Sequence, residues 1–138
     1  MITFATLAIV VSLGQTAGQT LPADRITYDQ LVNCAATWRL TSIRASVADD
    51  MDTGELAQVQ VTAFQVLARL YGQPLNITEP VVDLAIRDKA VEKLTESQRF
   101  TTDAGRRLFE QQLTIEQRIC AAVAERVARD NAALSGTS

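Results

Sequence analysis

Residues 51–74 read MDTGELAQVQVTAFQVLARLYGQP. Within them Leu56, Val59, Ala63, Phe64, Leu67, Leu70 and Tyr71 recur at helical spacing, one face of a 3.6-residue repeat. A strand would instead alternate with a period of two. Asp52 and Glu55 form a capping box, which places the helix start at Asp52. Gly72 fits the position just past a helix end, and Pro74 cannot continue a helix. No charged residue lies between Leu56 and Ala68, and Gln58, Thr62, Gln65 and Arg69 form one narrow polar stripe. A helix apolar around most of its circumference is either buried on several sides or turned towards a partner. Val59, Val61 and Val66 are the outward side chains that this reading assigns to a partner surface.

The same rules apply upstream. Thr27 and Gln30 make a capping box, so the first helix is expected from Thr27 to about Ala48. Its apolar stripe is Leu31, Cys34, Ala35, Trp38 and Ala45. Before it, residues 19–26 read as an extended lead-in, because Pro22 disfavours helix for its predecessor.

Downstream, Thr78-Glu79-Pro80 opens a third helix, with Thr78 as N-cap. Val82, Ile86, Ala90 and Leu94 face inward, and Asp83, Arg87, Asp88, Lys89, Glu92 and Lys93 face out. A long last stretch reaches about Asn131, either as a separate helix capped by Thr101 or Thr102 or as a kinked continuation of the third. Arg106–Glu110 and Arg126–Asp130 sit at the spacing of helix-surface ion pairs. Residues 135–138 read as a frayed tail.

Four helical patterns joined by short links, with nothing that reads as strand, predict an all-α domain over residues 27–134. The simplest arrangement is an antiparallel up-down-up-down four-helix bundle with the first and last helices adjacent. In that arrangement Cys34 sits just before the midpoint of the first helix and Cys120 just after that of the last. Antiparallel pairing brings them to one height, so Cys34 and Cys120 are expected to form a disulfide.

Residues 1–18 carry no charged side chain, and a short apolar run ending at Leu13 gives way to small and polar residues. That is the layout of a secretory signal peptide, cleaved after Gly18. The chain is therefore expected to be exported, periplasmic or extracellular, with no stable membrane span once the leader is removed. An oxidising compartment also suits the disulfide.

Composition narrows the chemistry. The 138 residues contain no histidine, two cysteines, and 13 Lys+Arg against 16 Asp+Glu, a net charge of -3. Histidine-dependent nucleophilic triads and His-ligated or four-cysteine zinc sites are excluded. No metal or cofactor is expected, and a mildly acidic chain is a poor partner for nucleic acid. Carboxylates are the remaining catalytic groups, but Asp49, Asp50, Asp52 and Glu55 cluster in one loop without a facing partner. The composition points away from an enzyme and towards a small binding or structural module: a chaperone, an inhibitor or an envelope interaction protein. Such a module would act on a protein partner, or on a second copy, through an apolar helix surface. The alternative is a carrier of small apolar ligands with a pocket in the bundle core near Trp38 and Tyr28. A carboxylate-dependent hydrolase is the remaining option.

Overall fold

The computed structural model describes residues 25–135. The expected signal peptide (1–18), residues 19–24 of the expected lead-in and residues 136–138 of the expected tail lie outside the described residues. Four helices, α1 Arg25–Val47, α2 Met51–Gly72, α3 Glu79–Ser97 and α4 Asp103–Ser135, form an all-α four-helix bundle, with one 3-10 turn at Gln73–Leu75. No strand occurs among the described residues.

The helices stand where the apolar spacing puts them, but several ends differ. α1 already includes Arg25 and Ile26, because Pro22 restricts only the residue before it. Thr27 is therefore no cap; it is buried, and its hydroxyl accepts from Arg126 Nη2 at 3.0 Å. α2 is capped by Asp50 rather than Asp52: Asp50 Oδ1 accepts from the Thr53 amide at 3.2 Å, and Oδ2 accepts from the Thr53 hydroxyl at 2.7 Å. The shift follows from the short link between α1 and α2, which reverses the chain through a left-handed Asp49 (φ 58°). Both Thr53 bonds hold the Asp50 carboxyl below the usual carboxylate range, the side-chain bond more than the backbone one.

Gly72 has ordinary right-handed backbone and ends α2 without a left-handed turn. Its lack of a Cβ serves packing instead. A Cβ there would sit 3.3 Å from Tyr28 Cε1 and 3.4 Å from Val82 Cγ2, so the glycine lets α1 and α3 close on α2. The left-handed residue is Asn76 (φ 59°), after the 3-10 turn. Thr78 takes the extended N-cap conformation of α3, although its side chain makes no capping bond. α3 and α4 are separate helices: the Thr102 hydroxyl accepts from the Gly105 amide at 3.0 Å and caps α4.

α1 is the central helix and packs against each of the other three. Tyr28, Leu31, Val32, Cys34, Ala35, Ala36 and Leu40 are all buried, so burial on several sides belongs to α1. Alanines and a cysteine on three faces let its neighbours approach closely. α2 contributes Phe64, Leu67 and Tyr71 to the core, and α3 contributes Val82 and Ile86.

α1 and α4 run antiparallel, with a polar seam in matching register. Arg126 donates to Thr27 and Gln30, Thr37 meets Glu116, Gln117 donates to Thr41, and Arg44 pairs with Glu110. Glu110 and Arg126 thus reach across to α1, while Arg106 pairs with Asp103.

α2 and α3 are tied by a forked pair. Asp83 accepts from Arg69 Nε at 3.0 Å and Nη2 at 2.7 Å, and from Gln65 Nε2 at 2.9 Å. The Arg69 bonds hold the Asp83 carboxyl below its usual range; partial burial opposes this, and Gln65 adds to it. Because the folded pKa is depressed, the pair stabilises the fold above the unfolded value of about 3.9, and that stability is lost as pH falls through the folded value. Asp83 is 39% exposed, so solvent screens the interaction. Asp83→Asn is expected to cost about 1 kcal/mol at pH 7 and close to nothing near pH 2, checked by urea unfolding at both pH values.

Candidate functional site

An open groove of ≈ 650 Å³ has α1 as its floor and α3 and α4 as its walls. It arises from how the two walls meet. Near their shared turn α3 and α4 are joined by Lys93–Glu116 (3.1 Å) and by Phe100 against Phe109 (ring centroids 5.5 Å apart). Away from that turn, the stretch Ala85–Glu92 of α3 faces the groove opposite Ile119 and Val123 of α4. Val32, Asn33 and Cys34 line the floor, and Ile26, Asp29 and Gln30 continue it.

Two large apolar side chains border this groove and are open to solvent: Ile26 is 70% exposed and Ile119 is 53% exposed. The acidic lining residues are each ion-paired: Asp29 with Arg25 at 3.2 Å, Asp88 with Arg87 at 3.6 Å, and Glu92 with Lys89 at 3.5 Å. The rim is therefore close to electrically neutral, and the lining offers apolar contact with polar edges, the usual make-up of a recognition groove.

Cys34 and Cys120 stand at disulfide distance, Cα atoms 5.5 Å apart and both buried, with Cys34 on the groove floor. Val59 is exposed (60%) and Val66 is half-buried. Val61, expected outward, is buried at 5% exposure. It shares the row Ala57, Val61, Phe64, Ala68, whose three- and four-residue spacing turns it inward with Phe64. Of the three α2 residues expected to face a partner, Val59 alone is open to solvent, with the exposed Leu56 beside it.

The expected Trp38–Tyr28 pocket takes a different form. Tyr28 is a core residue; burial pushes its phenol pKa up, partly offset by Arg25, whose guanidinium lies 5.2 Å from the ring centroid. Trp38 is half-buried against the core, its indole N–H enclosed without an acceptor. Neither residue lines the groove.

A second crevice of ≈ 360 Å³ lies at the α1–α2 turn, lined by Ser42, Ala45, Ser46, Met51 and Gly54 beside Asp49, Asp50 and Glu55. Among the described residues, no group of three or more acidic or cysteine side chains is arranged to hold a metal ion.

The groove residues Ile26, Ala85, Ile119 and Val123 are functional candidates absent from the sequence reading. A signal for the α4 wall exists: Leu108, Ile115 and Ile119 form an apolar row off the core face of α4, and all three are exposed. No known family model matches the chain, and no curated protein or solved structure is similar to it.

Proposed function

We propose that this chain is an exported, disulfide-closed binding module that takes an amphipathic apolar segment of a partner protein into the α1–α3–α4 groove. The observation that carries the reading is the pair of exposed isoleucines, Ile26 and Ile119, bordering a groove whose acidic lining residues are each ion-paired. Exposed apolar surface collected at a concavity marks interaction sites more often than scattered apolar residues do. A helix laid in a groove between two others also repeats the packing the bundle already uses. The lining residues are apolar, uncharged amides or ion-paired, which suits binding rather than catalysis. Export is supported by the buried cysteine pair at disulfide distance. Intact-mass measurement of secreted protein should show a chain starting at Gln19.

The groove is tested with a fluorescently labelled, net-neutral amphipathic helical peptide, followed by anisotropy. Ile119→Glu is expected to weaken binding at least tenfold, about 1.4 kcal/mol. Val59→Glu should leave it unchanged. A loss confined to Val59→Glu would move the site to the α2 face, and no binding to the unmodified protein would defeat the reading.

A further inference from the structure

α4 is the longest helix, 33 residues, yet it brings few large side chains to the core. Of the ten largest fully buried side chains among the described residues, Val127 alone belongs to it. Its backbone runs close to α1 and makes no comparably close approach to α2 or α3. Beside the buried Cys120, Val123, Ala124 and Val127, the α1–α4 seam is built from hydrogen bonds and ion pairs such as Arg126 to Gln30 and Arg44 to Glu110, which water can replace on separation. α1, α2 and α3 meanwhile supply most of the large side chains of the apolar core, Leu31, Phe64, Leu67, Tyr71, Val82 and Ile86, to which α4 adds the smaller Cys120, Val123, Ala124 and Val127. Cys34–Cys120 is the covalent tie between that unit and α4, and Cys34 forms part of the floor of the open groove.

We propose that Cys34–Cys120 is a redox clasp whose opening by a dithiol reductant releases α4 from a persisting α1–α3 unit. A thiolate of the dithiol attacks one sulfur of the pair, forming a mixed disulfide and expelling the other cysteine as thiolate. The second thiol of the reductant then displaces the first, so the dithiol leaves as a disulfide. Two electrons and two protons have passed to Cys34 and Cys120, which remain as thiols. Ile119 and Val123 leave with α4, so the groove loses a wall and apolar faces of α1 and α4 open to solvent. That consequence for binding rests on the groove reading; the release of α4 does not.

Hydrogen exchange read by mass spectrometry on the full chain tests it, before and after dithiothreitol in native buffer. The amides of residues 113–131 should lose protection by at least about a hundredfold, while those of 60–71 and 82–90 change by no more than a few fold. The Cys34→Ser/Cys120→Ser variant should show the same pattern without reductant. Retained α4 protection after both thiols are shown to be alkylatable would overturn the clasp. So would equal loss of protection in α2 and α3, or a disulfide that resists dithiothreitol until denaturant unfolds the whole chain. The labelled peptide serves as a separate measurement: failure to bind the oxidised protein removes the groove but leaves the exchange result standing.

Discussion

Replacing both Cys34 and Cys120 by serine is expected to lower the unfolding free energy by up to about 4.6 kcal/mol, the loop-entropy value for a separation of 86 residues. The loop-entropy part of the effect acts through the unfolded chain, which regains the freedom that the link between α1 and α4 removes. Beside the tie, α4 is held by the small core side chains Val123, Ala124 and Val127 and by the polar seam to α1. The polar seam contributes little net stability per hydrogen bond, because each group in it is satisfied by water when the helices part. With a urea slope of about 1–3 kcal/mol per molar, the midpoint should fall by roughly 2 M. A shift below about 0.5 M would show that the closure contributes well under the loop-entropy value. Near-ultraviolet dichroism of Trp38, which lies one helical turn after Cys34, should report the transition beside the removed bond.

The cysteine pairing could be read from the sequence because it needs only helix positions and one topological assumption. If the first and last helices are antiparallel neighbours, Cys34 and Cys120 fall at one height, and the seam from Thr27–Arg126 to Arg44–Glu110 carries that register along both helices. Helix existence was equally accessible, since α2 and α3 each repeat apolar residues over several turns. Helix ends were less so. The start of α2 depends on closing a short link through a left-handed Asp49, and no glycine marks that position. Gly72 looked like a terminator, but a glycine that relieves crowding against Tyr28 and Val82 has the same sequence signature as one that adopts a left-handed turn. The groove was hidden for a different reason. Ile26, Ala85 and Ile119 lie on three helices, and only the relative placement of α3 and α4 over α1 brings them to one concavity.

Gln60→Met is expected to stabilise the protein by about 1–3 kcal/mol, an unusual sign for a core substitution. Gln60 is 0% exposed, and neither its amide oxygen nor its amide nitrogen has a hydrogen-bond partner. It occupies the core row of α2 with Phe64, Leu67 and Tyr71, at intervals of four, three and four residues. Polarity alone would place it with Gln58, Thr62 and Gln65; periodicity places it with Phe64, and the structure follows periodicity. Burying an amide without a partner forfeits its bonds to water, and no protein group here returns them. Methionine has nearly the same length and shape, is unbranched, and matches glutamine in helix propensity, so the exchange removes the polar penalty without opening a cavity. Gln60→Ala is the control: it removes the same amide but leaves a void, and it should destabilise, because loss of packing outweighs the relief. Urea unfolding of the three proteins separates the two effects. If Gln60→Met gains nothing while Gln60→Ala loses, the amide is satisfied by an enclosed water, and the core around α2 is wetter than its protein contacts imply.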